Sequence, residues 1–205
     1  MPPATERPGV SAHPAQPTGG TPQPPEEMRA GELLLRRMRA EDAGVLAAAV
    51  GDSLDHLRPW MPWATPEAAD HRTQLARISE AADMWQAGTD YIYSIFLLID
   101  MTLVGTIGMH RRIDDGGVEI GYWIGTGYTR RGYATAAASA LTSVAAGLPG
   151  TSRVEIHCDE ANIASAGIPR KLGYRLDRID TLEPEAPGER GRRMIWVWEP
   201  GFGRR

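Results

Sequence analysis

A chain of 205 residues with 42% hydrophobic and 23% charged side chains has the size and balance of one soluble domain with a real core. Its net charge of −4 gives no support to nucleic-acid binding, and its single cysteine, Cys158, rules out an intramolecular disulfide framework and a multi-cysteine zinc site. No apolar run reaches the roughly eighteen residues of a membrane span. The N-terminus is polar and proline-rich, without the apolar stretch of a signal peptide, so a cytoplasmic protein with no metal and no membrane or nucleic-acid partner is expected.

Residues 1–27 hold eight of the sixteen prolines and almost no large apolar side chains. They cannot bury enough surface to offset their ordering entropy, so a disordered tail is expected there, ahead of one domain over 28–205. Residues 33–37 (LLLRR) read as a short strand and 41–50 as a short helix. Residues 53–64 carry Trp60 and Trp63 beside two prolines, a stiffened segment able to anchor packing or wall a substrate pocket. Residues 66–87 read as one long helix, with Pro66 in its first turn and an apolar face through Leu75, Ile78, Ala82 and Trp85. Three strands follow at 91–99, 102–111 and 119–124, joined by hairpin turns at 100–101 and 114–117. An alanine-rich helix over 134–146, a strand at 153–158, a helix at 163–172 and strands at 174–179 and 194–198 complete the order β-α-α-β-β-β-α-β-α-β-β.

The most informative stretch runs from Glu119 into the alanine-rich helix. A buried-type strand to Ile124 is followed by a loop over 125–132 bearing glycines and the pair Arg130-Arg131, and then by a helix N-terminus. Free amides of a first helical turn, the positive end of the helix dipole and glycines that admit close approach make an anion site. The loop is neither a P-loop nor a dinucleotide fingerprint, because the lysine of the one and the full glycine spacing of the other are missing.

Four elements together carry a resemblance. Thr129-Arg-Arg-Gly132-Tyr-Ala134 fits the Gln/Arg-x-x-Gly-x-Gly/Ala loop of the GNAT (Gcn5-related) N-acetyltransferases at Gly132 and Ala134 and departs from it at Thr129. Asn162-x-x-Ser165-x-x-Ile168-x-x-Lys171-Leu-Gly-Tyr174 is similar to a run found in the RimJ/RimL-like branch of that superfamily. Glu119-Ile-Gly-Tyr-Trp123 resembles the strand that carries the pantetheine arm, and His56-Leu-Arg-Pro-Trp-Met-Pro-Trp63 resembles the segment before the second helix. They span about residues 30–198 in the family's order.

The resemblance implies an α/β (α+β) GNAT fold: a mixed, mostly antiparallel sheet of six or seven strands, splayed between the Glu119 and Arg153 strands and flanked by about four helices. It implies acetyl-CoA as co-substrate and an amine acceptor, either a protein N-terminus or a small molecule such as an antibiotic. The implied donor site comprises Trp123, Ile124, Arg130, Arg131, Gly132, Tyr133, Ala134, Thr135, Asn162 and Ser165. A bulge near 123–126 would help the strands part. His56, Trp60, Trp63, Tyr93 and His110 are candidates for the acceptor pocket.

Acyl transfer to an amine needs a proton acceptor and a proton donor for the leaving thiolate. Glu119 is the candidate base, directly or through water. Many family members place a tyrosine acid where this chain has Pro169, so Ser165 is the substitute donor. His110 and His157 are further titratable candidates, and Cys158 is expected to be a buried, inert thiol. A succinyl or other acyl donor, and a non-catalytic acyl-CoA-binding module, are the alternatives. Homodimers are common in the resembling branch.

Overall fold

The computed structural model describes residues 22–113 and 116–199. Its centre is one eight-stranded sheet in the order β1-β2-β3-β4-β5-β6-β8-β7. The strands are β1 (Glu27–Ala30), β2 (Leu33–Arg37), β3 (Asp90–Leu97), β4 (Leu103–His110), β5 (Gly117–Ile124), β6 (Arg153–Asp159), β7 (Arg175–Thr181) and β8 (Arg192–Trp198). All neighbours are antiparallel except β5 and β6, which the α4 crossover makes parallel. Five α-helices flank the sheet: α1 (Ala43–Gly51), α2 (Leu54–Leu57), α3 (His71–Ala87), α4 (Tyr133–Gly147) and α5 (Ile163–Lys171).

Alternation along the strands builds two cores. Tyr91, Tyr93 and Ile95 of β3, with Val118 and Ile120 of β5, join Ala137, Ala138 and Leu141 of α4. On the other face, Phe96 and Trp123 join Leu46 and Val50 of α1, Leu57 and Ile78.

Several expectations change. The sheet has an eighth strand, β1, which starts at the last residue of the stretch read as tail. Before it, Gln23 donates to the Trp85 carbonyl, and the Pro25 carbonyl accepts from Tyr93. The rest of that stretch, residues 1–21, lies outside the described residues, as do 114–115 of the second hairpin turn. The helix expected over 66–87 is interrupted. Pro66–Ala69 forms a 3-10 turn, Asp70 is extended, and its carboxylate caps α3 by accepting from the Thr73 amide at 3.0 Å. A single-turn helix, α2, adds a fifth to the four expected.

The splay is present but arises differently. β5 and β6 pair only at Gly117–Arg153, Val118–Val154 and Glu119–Glu155, although both strands continue well beyond. The expected bulge at 123–126 is absent, because β4 and β5 keep register from His110–Glu119 to Gly105–Ile124. Gly105 permits this close approach, since a Cβ there would collide with the Trp123 carbonyl. The irregularity sits one strand away, where β3 shifts against β4 at Ile95/Phe96.

Candidate active site

A cleft of about 730 Å³ opens on the face covered by α1 and α3, where β5 and β6 part. Its floor is the outward face of β4 and β5. Gly108 and Gly121 leave that floor bare, and His110 lies across it, hydrogen-bonded through Nδ1 to Asp90. A Cβ at Gly108 would press on Ile92 and on the His110 ring. Trp60 and Trp63 form one wall with α3, so both tryptophans read as candidate pocket residues line the cleft. The Trp63 indole is tilted against that of Trp123, with centroids 6.1 Å apart.

The opposite wall comes from the loop between β7 and β8. Asp159, at the end of β6, accepts from the amides of Ala161, Arg190 and Arg192 at 2.9–3.0 Å and so pins that loop. The Gly188 amide donates to the Pro59 carbonyl at 2.8 Å, which ties the loop to the segment carrying Trp60. Glu185 and Glu189 thereby enter the lining.

Glu119 is buried in the cleft, held between Arg112 and His157. Both its oxygens accept from Arg112, at 2.7 Å each, and His157 Nδ1 lies 3.6 Å from Oε2. Burial pushes the Glu119 carboxyl up, but the two Arg112 hydrogen bonds, with His157 and His110 behind them, outweigh it and hold the group below the usual carboxylate range. His157 Nε2 is in turn 2.6 Å from Glu155, which Arg153 also binds.

At the mouth of the splay, Asn162 caps α5 by accepting from the Ser165 amide at 3.0 Å. The Ser165 hydroxyl lies 3.3 Å from that of Tyr122, and Tyr122 Oη also donates to the Ser165 carbonyl at 3.4 Å. Cys158 is buried beside them, its thiol pushed by burial up to about 11.

The loop over 125–132 has the geometry of an anion cradle. Arg130 and Gly132 take positive φ, 59° and 86°, and α4 begins with no side-chain cap. The first α4 amide bonded to the backbone is that of Ala136, which donates to Gly132 at 2.9 Å, so the earlier first-turn amides are left for an acceptor from outside. Arg130 and Arg131 are exposed at this turn, and Arg131 stacks on Tyr128 at 5.6 Å. Ala134 and Thr135 are half-buried, while Tyr133 is buried in the core and offers the site only its backbone. The Trp123-Ile124 backbone leads from the cleft towards this turn.

Two candidate pocket residues lie elsewhere. Tyr93 points to the α4 side, fully buried against Trp85 at 5.1 Å, because its place in the β3 alternation is opposite to that of Ile92. His56 is exposed on α2 and does not line the cleft. Arg112, Tyr122 and the Asp159-pinned loop are contributors the sequence reading missed. Tyr122 alone had a local signal, standing in the strand already singled out.

Comparison with known proteins agrees with this architecture. The Acetyltransferase (GNAT) domain family matches residues 32–175. Among solved structures, a ribosomal-protein-S5-alanine acetyltransferase from Vibrio fischeri superposes with a TM-score of 0.77 at 14% identity, covering 86% of this chain and 97% of its own. RimJ of Mycobacterium smegmatis, in complex with CoA-disulfide, gives 0.75 at 21% identity, covering 88% and 86%. The microcin C7 self-immunity acetyltransferase MccE, in complex with acetyl-CoA and AMP, gives 0.75 at 18% identity, covering 82% and 93%. No match was found among curated proteins. The family match takes in both parting strands, the uncapped turn between them and Ser165, and it makes this chain a member of the GNAT acetyltransferase family.

Proposed function

We propose that the chain moves the acetyl group of acetyl-CoA directly to a primary amine, the α-amine of a protein N-terminus or the amine of a small molecule. The observation that carries this reading is the parting of β5 from β6 beyond Glu119, which links the uncapped Gly132 turn to a cleft holding a buried carboxylate. Acetyl-CoA fits that path. The amides of 131–135 would receive its pyrophosphate with charge from Arg130 or Arg131, and the β5 edge at Trp123 and Ile124 would pair with the pantetheine amides. Bound acetyl-CoA supplies the activated acyl group. The Arg131-Gly-Tyr-Ala-Thr135 string and the Asn162–Tyr174 run support a RimJ/RimL-like enzyme.

In this reading Glu119 draws the ammonium form of the acceptor into the cleft and orients the water that carries its proton away. A carboxylate held below its usual range and bonded twice to Arg112 is a weak base, so the acceptor's own ionisation sets the pH at which neutral amine forms. A backbone N–H near Trp123 stabilises the developing oxyanion. The Ser165 hydroxyl, backed by Tyr122, gives a proton to the leaving thiolate. Arg112 is tied to Glu119, which favours an acetyl donor over one ending in a second carboxylate.

Thiol release from acetyl-CoA against a panel of amines tests the reaction; tight CoA binding without turnover on any amine would overturn it. Glu119→Gln should lower kcat/KM by about tenfold or more while the acid limb of the pH profile keeps its position. A limb that shifts or vanishes would instead make Glu119 the titrating base.

A further inference from the structure

We propose that the end of the cleft lined by α3 is an anion subsite, in which the guanidinium of Arg77, stacked on Trp63, receives a carboxylate carried by the acceptor at the end away from its amine. The inference rests on the acetyl-transfer reading for the place of the amine and on the following geometry for the place of the anion.

Among the described residues three arginines line the cleft: Arg77, Arg112 and Arg193. Arg112 is bonded to both oxygens of Glu119, and Arg193 faces Glu185 at 3.5 Å. Among the described residues Arg77 forms no ion pair. Its one hydrogen bond to the protein is a long one, 3.4 Å, to the Trp63 carbonyl. Glu80, one turn further along α3, acts on it electrostatically but is exposed and forms no ion pair with it.

The cation is nevertheless fixed. It projects from the middle of a long helix, and its guanidinium carbon lies 4.9 Å over the Trp63 ring. It is also partly stripped of water, and this burial lowers its proton affinity, an effect that the charge of Glu80 offsets only in part. A guanidinium presents five N–H donors in a planar fork suited to a carboxylate, and most of these remain for a ligand.

The order of these groups along the cleft defines the ligand. The indole of Trp63 touches both Arg77 and Trp123, and Trp123 stands beyond Gly121 from Glu119 on the same face of β5. An acceptor with its amine at Glu119 would lay a flat or apolar body against the two indoles and bring an anionic end to Arg77. A benzoate-like amine has this form, and so does a peptide whose N-terminal residue is followed by an acidic one. Both present the same chemistry, an amine and a carboxylate at opposite ends of one acceptor.

Calorimetric titration of the full chain with CoA present reads the subsite without requiring turnover. One pair of probes is 4-(aminomethyl)benzoate and its benzamide; the other is the tripeptide amides Ser-Glu-Ala and Ser-Gln-Ala. Wild-type protein should bind the carboxylate member of at least one pair about tenfold or more tightly, the scale of a charge-assisted hydrogen bond. The pair with the larger ratio identifies the source as small molecule or peptide. Arg77→Met should bring that ratio to about one, and Arg77→Lys should keep part of it.

A ratio near one in the wild type overturns the subsite. So does a ratio that survives in Arg77→Met while both members weaken together, which would make Arg77 only a prop for Trp63. Preferential binding of the carboxylate member with no thiol release from acetyl-CoA would sustain the subsite and sink acetyl transfer. Turnover of both members without any binding preference would do the reverse.

Discussion

Pro169 takes the place of the tyrosine that many family members use as an acid, and its consequence appears four residues earlier. In a regular helix the Ser165 carbonyl would accept from the amide of residue 169, but proline has none. The hydroxyl of Tyr122 reaches across from β5 instead, 3.4 Å from the Ser165 carbonyl and 3.3 Å from its Oγ. Burial pushes the Tyr122 hydroxyl far above the ordinary tyrosine range, so it remains a protonated donor at any working pH. The two residues should therefore be energetically coupled. Tyr122→Phe is expected to cost about 1 kcal/mol of unfolding free energy by leaving that carbonyl without a donor. In a Pro169→Ala background the backbone N–H gained at that position restores the helical donor, and the cost should shrink. Denaturant unfolding of the four proteins of this cycle measures the coupling, and strictly additive losses would remove it.

At the level of elements, the turn before α4 depends on its backbone. Gly132 sits at φ 86°, a left-handed conformation that side chains rarely adopt, while a Cβ there would meet nothing within 4 Å. Gly132→Ala should therefore strain the turn by about 1 kcal/mol without a clash, and Gly132→Asn, which tolerates this region, by less. Acetyl-CoA KM should rise for Ala more than for Asn; equal values would show that the turn does not set donor affinity. This element was legible because its signals are local: glycine, arginine and a helix start in sequence. The hairpins of β3, β4 and β5 were legible for the same reason, through alternation and short turns. β1 was not, because four polar-flanked residues after a proline run show no alternation, and only pairing with β2 makes them a strand. Tyr93 was placed on the wrong side because one face of a strand cannot be told from the other until it is known which helix covers it. The Arg112 clamp on Glu119 and the Asp159-pinned loop join residues across a hairpin and across about thirty residues of chain, contacts that no local pattern encodes.

At the scale of the whole molecule, these long-range contacts share one vulnerability. Glu119, Glu155 and Asp159 are all buried carboxylates. Burial alone would raise each of them. Their partners outweigh it: Arg112 for Glu119, His157 and Arg153 for Glu155, and the amides of Ala161, Arg192 and Arg190 for Asp159, leaving all three below the ordinary range. A group with a depressed folded-state pKa binds fewer protons in the folded protein than in the unfolded chain. Its stabilisation is complete above the unfolded value of about 4 and is lost as pH falls through the folded value. Stability should thus be flat near neutrality and decline below about pH 5. Asp159→Asn isolates one contribution, since it removes the charge at nearly constant volume from the residue that holds the β7–β8 loop. The variant should be less stable than wild type by about 1–3 kcal/mol at pH 7, and the two stability curves should converge in acid, where the wild-type carboxylate is itself protonated. Parallel curves down to about pH 3 would show that Asp159 does not titrate with folding. Because that same loop reaches Pro59 through Gly188 and closes one side of the cleft, acetyl transfer should fail in acid before the sheet unfolds. Loss of activity coincident with loss of secondary structure would count against a loop that loosens first.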